Sequence, residues 1–188
     1  MLLDEQIVAI EGAFAAAGIP HAFGGAQALA YYGSVRATFD IDVNVFVPVA
    51  EAGRVFDVLD SLGVAVRDPL LRERVARDGQ VRLRWQGTPV DLFFAYDPLH
   101  QSSHARRRRV DFGGDFIHIL GAEDLITYKV IFDREKDWRD IASIVYASDE
   151  PLDYDYVRRW LERIEGPRGR LLERFDRVVA SRGRDLDA

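Results

Sequence analysis

The run FDIDVNVFV, Phe39 to Val47, constrains this chain more than any other stretch. It has the length and β-branched, aromatic content of a buried strand, yet it carries Asp40 and Asp42 one residue apart. Side chains alternate across a strand, so this spacing predicts both carboxylates on one face, about 6–7 Å apart along the chain. Like charges held among apolar neighbours repel, and one must take up a proton unless a cation lies between them. A divalent ion with oxygen ligands is the natural partner, and such ions serve phosphoryl and nucleotidyl transfer. Two acids at a strand end, capping loop amides in solvent, would have the same local sequence.

Upstream, His21 to Phe23 is a short apolar lead-in, and Gly24 and Gly25 remove side chains where the backbone turns. Residues 26–32 are rich in Ala and Leu and predict a short helix that stops at Gly33. A helix opening from a Gly pair offers its first amides and its positive dipole end to a phosphate. Close packing alone also selects such a pair.

The rest of the chain predicts an α/β organisation. An Ala-rich amphipathic helix over residues 4–17 turns Ile7, Ile10 and Phe14 inward, and a second helix over 50–61 follows Pro48. Gly63 to Arg67 reads as a short strand, and the Arg-rich segment after it as one or two helical turns. Val81, Leu83 and Trp85 alternate with Arg82, Arg84 and Gln86, the pattern of a strand with one buried face. After a turn at 87–89 comes the strand VDLFFAY, where Asp91 is a carboxylate in an otherwise apolar run. A lone buried carboxylate is costly without a partner. Asp97, before Pro98, reads as a turn residue.

His100 and His104 stand at i and i+4, but no further ligand accompanies them, so an exposed pair is the simpler reading. The run Arg106 to Arg109 suits an RNA backbone or an acidic partner, or is simply a solvated strand start. Residues 111–115 predict a hairpin turn, with a strand over 116–120 and a helix opening at 121–124. That helix carries Lys129, and Lys136 follows. These are the only two lysines among 25 basic residues. A chain that otherwise chooses Arg calls here for a compact ammonium. Lys136 to Asp140 is spaced for an i+4 ion pair, or both line a site. Residues 152–182 predict two helices split at Gly166-Pro167, and the final RGRDLDA a frayed tail.

Composition excludes several classes. The chain has 188 residues, 48% hydrophobic and 30% charged, with no cysteine and a formal charge of −6. Disulfides and Cys-ligated zinc are ruled out, and no apolar run approaches membrane-spanning length. The acidic N-terminal helix is unlike a signal peptide, so a cytoplasmic location is expected. Net acidity speaks against coating nucleic acid over the whole surface but leaves room for a local basic groove.

The hydrophobic lead-in, Gly24-Gly25, helix and Asp40-Ile41-Asp42-Val43 resemble the signature of the polymerase-β-like nucleotidyltransferases. Within that superfamily, Arg36 to Asp42 and Lys136-Asp137-Trp138-Arg139-Asp140-Ile141 resemble the AbiEii-type enzymes of abortive-infection and toxin–antitoxin systems. The resemblance spans residues 20–147. It implies an α/β (α+β) fold, a mixed sheet flanked by helices over 1–150, with a helical cap over 151–188. It implies Mg²⁺ or Mn²⁺ held by Asp40, Asp42 and Asp91, with Asp91 also a general base, and a nucleoside triphosphate (NTP) contacted by Gly24, Gly25, Thr38 and Lys129.

The implied acceptor is RNA, such as the 3′ end of tRNA, with a cognate antitoxin as partner. One departure is that Ala26 and Gln27 follow the Gly pair, where relatives often place Ser or Thr; Ser34 or Thr38 would have to substitute. Two other readings stay open: a nucleotide- or partner-binding protein without transferase activity, and a transferase acting on a small molecule such as an aminoglycoside.

Overall fold

The structure is a computed structural model that describes residues 1–148 and 151–186, with side chains through Arg182. The chain forms two compact units, one of residues 1–27 and 37–120, the other of residues 28–36 and 121–188.

The first unit holds a six-stranded sheet in the order β3-β4-β2-β1-β6-β5. Its strands are β1 (His21–Phe23), β2 (Ile41–Pro48), β3 (Gln80–Trp85), β4 (Thr88–Ala95), β5 (Arg108–Phe112) and β6 (Asp115–Ile119). The sheet is mixed: β2 runs parallel to β4 and β1 to β6, while β1–β2, β3–β4 and β5–β6 are antiparallel. Helix α1 (Leu3–Ala16) packs against α3 (Ala52–Ser61) and β6, and buries Ile7, Ile10 and Phe14 as its periodicity predicts. α4 is Leu71–Asp78 and α5 is Pro98–Arg106. The central strand β2 buries Ile41, Val43 and Val45 completely, so the sheet core lies beneath the acidic run.

Several local readings are corrected. The helix expected over 26–32 is α2 (Gly25–Leu29), whose end is turned by Gly33 N–H donating to the Leu29 carbonyl at 2.9 Å. Residues 63–67 form no strand; Ala65 N–H instead donates to the Arg84 carbonyl at 3.0 Å, tying the loop to β3. Asp97 caps α5 by accepting from the Leu99 amide at 2.6 Å.

The second unit contains α6 (Ala122–Phe132), α7 (Glu135–Ala147), α8 (Tyr154–Glu165) and α9 (Arg170–Leu186). The domain boundary expected at residue 150 falls outside the described residues, and α6 and α7 group with α8 and α9. Asp133, ending α6 with φ 52°, ties three helices by accepting from Trp138 Nε1 at 2.7 Å and from Arg170 at 2.6 Å. Leu161, Leu171 and Phe175 supply the buried face of the two helices, joined by Tyr156 and Val157, whereas Ile164 is exposed. The expected frayed tail is helical through Leu186, and its last two residues lie outside those described.

Candidate active site

Register across three strands assembles the acidic site. On the parallel pair, Asp42 of β2 is the partner of Asp91 of β4, and on the antiparallel pair Asp91 is the partner of Arg82 of β3. Register partners share a face, so Arg82, Asp91 and Asp42 form a row at the spacing of neighbouring strands, about 4.8 Å. Arg82 closes on Asp91 as a fork, Nε and Nη2 donating to the two carboxylate oxygens at 2.7 and 2.6 Å. The hydrogen bonds it donates to Asp91, the Asp91 charge, and then the charges of Asp40 and Asp42 hold the Arg82 guanidinium well above its ordinary ionisation range. All three acids therefore act on one cation.

Asp40 is placed differently from expectation. β2 begins at Ile41, opposite Val90, so Phe39 and Asp40 have no ladder partner and lie before the strand. Phe39, read as a buried strand residue, is 83% exposed. Asp40 is held instead by local bonds: the Thr38 hydroxyl donates to its Oδ1, and Gln27 Nε2 of α2 to its carbonyl at 2.9 Å. The other side-chain atom of Gln27, Oε1, is buried without a hydrogen-bond partner.

The Gly pair is demanded by contact with β2. Gly24 N–H donates to the Asp42 carbonyl at 2.9 Å, and a Cβ at Gly24 would lie 2.9 Å from Asn44 Nδ2. Gly25 has φ 49°, and a Cβ there would lie 1.8 Å from Asp42 Oδ2. Backbone thus replaces side chain directly against the Asp42 carboxylate. The Gly24 amide, expected to face a phosphate, is spent on the β1–β2 ladder.

Lys129 belongs to the second unit, where its side chain is only 6% exposed and Nζ donates to Asp140 Oδ2 at 2.6 Å. Asp140 also meets Arg36 at 3.4 Å, which joins the two motif segments within that unit. The expected Lys136–Asp140 pair is therefore corrected: Asp140 takes the buried ammonium, and Lys136 is exposed. A buried ammonium needs a carboxylate far more than a solvated one does. Asp137 pairs with Arg134 at 2.6 Å. On α6, Ile126 and Val130 beside Lys129 are buried and Ile131 is exposed.

Sequence reasoning missed two groups. Arg82 was legible as a polar strand position, and only the β3–β4 pairing gives it Asp91. Glu11, on a helix read as pure packing, is buried and touches His21 and His118 at 2.9 and 2.7 Å. The pair expected to be exposed is not: His100 is buried and faces Asp97 at 3.4 Å, and His104 is half-buried and packs on the Phe46 ring. Burial holds both imidazoles below their ordinary range, with Asp97 opposing the effect at His100 and Arg107 adding to it at His104.

A mixed sheet carrying paired acids on adjacent parallel strands, a Gly turn against the first, and flanking helices is the nucleotidyltransferase fold. The structure resembles that of ANT(2'')-Ia, solved in complex with adenylyl-2''-tobramycin, at a TM-score of 0.54 and 17% identity, covering 98% of each chain. It also resembles an antigenic nucleotidyltransferase-like protein from Paracoccidioides brasiliensis, at a TM-score of 0.52 and 16% identity, covering 98% of this chain and 90% of that one. No protein-family model and no curated protein sequence matches the chain.

Proposed function

We propose that the protein is a magnesium-dependent nucleotidyltransferase that moves a nucleoside monophosphate from an NTP to an acceptor hydroxyl. The observation that carries this reading is the register of Asp42 with Asp91, with Gly25 backbone against Asp42. The donor set fits the ion, because Asp40, Asp42 and Asp91 offer only hard carboxylate oxygens, and Arg82, paired with Asp91, lies in the field of the other two. These three residues would hold Mg²⁺ or Mn²⁺, which would supply neutralising charge for the phosphates.

The chain's own residues supply the rest. Asp91 accepts the proton of the attacking hydroxyl; the Arg82 fork uses one lone pair on each carboxylate oxygen, and loosening it opens the carboxylate further. Released, the guanidinium is free to meet phosphate oxygens. Gly24 and Gly25 let the triphosphate approach backbone rather than side chain. The Gly24 amide is committed, so the Gly25 turn carries that contact. Thr38 fixes Asp40 and stands beside the nucleotide, and Lys129 steadies phosphate charge in exchange with Asp140.

For the acceptor we propose RNA, such as the 3′ end of tRNA, and the role of a cytoplasmic toxin held by a cognate antitoxin. Arg82 and Arg84 support this, since both are exposed on β3 and alternate onto the carboxylate face. A small molecule such as an aminoglycoside is the second reading, supported by the end-to-end likeness to ANT(2'')-Ia, solved in complex with adenylyl-2''-tobramycin. No helix among the described residues is long and apolar enough to cross a membrane.

The test is incubation with Mg²⁺ and each labelled NTP, beside total RNA in one arm and tobramycin in another, with Asp42→Asn as control. Label entering RNA only in the wild type supports the proposal. Label entering tobramycin selects the second reading. If no label moves and NTP binding is unaffected by Asp42→Asn, the protein is a binding module instead.

A further inference from the structure

The first unit holds a second cluster of metal-ligand chemistry, on the face of the sheet opposite Asp42. His21 of β1 is the register partner of Val45, whereas Asp42 and Asn44 alternate to the other side of β2. Glu11 enters this face from α1, and His118 comes from β6. Ligand atoms of Glu11, His21 and His118 all lie within 4.8 Å of one another.

The hydrogen bonds of His21 fix which ring nitrogen faces the cluster. Its Nδ1 lies 2.9 Å from the Ile19 carbonyl, an acceptor only, so Nδ1 carries a proton. Its Nε2 lies 2.9 Å from Glu11 Oε2. With Nδ1 protonated, a neutral ring would point the Nε2 lone pair at a carboxylate oxygen. A proton fills that 2.9 Å gap in the ion-free site, and a metal ion at about 2.0–2.1 Å from each atom would replace it from the side of His118 rather than between the two. Glu11 Oε1 makes the matching approach to His118 Nδ1 at 2.7 Å.

The surroundings are those of a ligand set oriented from outside. The Ile19 carbonyl fixes the His21 tautomer so that Nε2 faces the carboxylate, as outer partners of metal-bound histidines do. The His118 backbone amide donates to Glu11 Oε2 at 2.9 Å and so holds the carboxylate plane. Burial pushes the Glu11 carboxyl up, but the bonds and charge of His21 and the His118 contacts outweigh it and bring it to about 2, so Glu11 is an anion. His21 is buried, whereas the His118 side chain is 30% exposed and leaves a path for an ion. Four histidines are present and no cysteine, and His100 and His104 are engaged elsewhere.

We propose that Glu11, His21 and His118 bind a zinc-class transition-metal ion, through one carboxylate and two imidazoles, at a site separate from the Asp40–Asp42–Asp91 acids. Two imidazoles and a carboxylate suit Zn²⁺ or Fe²⁺ and not Mg²⁺. Binding replaces the contacts of Glu11 with His21 Nε2 and His118 Nδ1 by bonds to the ion. A structural ion here would clamp α1 between β1 and β6.

The test is calorimetric titration of the chelator-stripped full chain with Zn²⁺ in excess Mg²⁺, repeated for His118→Asn, Glu11→Gln and Asp42→Asn, each checked for folding by circular dichroism. We expect one equivalent of Zn²⁺ bound at micromolar affinity or tighter, weakened at least tenfold by His118→Asn or Glu11→Gln and unchanged by Asp42→Asn. No binding by the wild type overturns the proposal and leaves a proton as the cation. Binding that survives both His118→Asn and Glu11→Gln overturns it as well, as does binding lost in Asp42→Asn alone. If the two cluster variants fail to fold, a wild-type melting temperature unmoved by Zn²⁺ overturns it too.

Discussion

Arg82 and Asp91 face each other across β3 and β4 as a bidentate pair, the guanidinium 61% exposed and the carboxylate 14%. Both Asp91 oxygens are thereby occupied by a cation that also feels Asp40 and Asp42. Arg82→Gln removes that competitor. Mn²⁺ binding at the acids, followed by electron paramagnetic resonance, should tighten several-fold. Stability should change by less than about 1 kcal/mol, since the exposed end of the pair is screened by solvent.

Asp91→Asn should lower the rate of label transfer by about 10²–10⁴-fold, the range for loss of a general base. NTP binding should persist. A variant that transfers label at the wild-type rate would remove Asp91 from the mechanism.

Gly25→Ala should destabilise by about 2–3 kcal/mol, because it combines strain at φ 49° with a Cβ 1.8 Å from Asp42 Oδ2. Gly87→Ala, at φ 93° in open space, should cost about 1 kcal/mol. Denaturant midpoints of the two variants measure the difference.

Lys129→Met leaves Asp140 buried with only the 3.4 Å contact to Arg36 and should cost about 3 kcal/mol. The double variant Lys129→Met/Asp140→Leu should recover most of that loss, since an apolar pair removes both buried charges. Urea unfolding of the two variants decides the matter, and a double variant no more stable than the single would contradict it.

Glu11 imposes a pH dependence. Its carboxyl falls from 4.5 unfolded to about 2 folded, so its contribution is fully present above pH 4.5 and is lost as pH drops toward 2. The contribution is about 3 kcal/mol by linkage. Acid unfolding of Glu11→Gln should lack this slope between pH 4.5 and 2 and should start from lower stability at neutral pH.

Much of the fold was legible because its signals are local. The alternation of Val81, Leu83 and Trp85, the apolar periodicity of α1 and the hairpin at 111–115 are all read within one element. The chemical identity of the acids and of the Gly pair was equally plain, as was Asp91 as an acid in an apolar strand. Register was not. That Asp42 stands beside Asp91, and Asp91 beside Arg82, depends on ladders between strands distant in sequence, which no local period encodes. For the same reason Asp40 lost its place in the strand: the β2–β4 ladder starts at the Ile41–Val90 pair, and the next β4 residue is Pro89, which has no N–H to donate. Local spacing offered Asp140 the nearby Lys136, and burial gave it Lys129 instead, because a charge removed from water must find its counter-charge inside. Glu11 looked like the polar side of a packing helix until β1 and β6 brought two histidines to it, a meeting made only by tertiary packing.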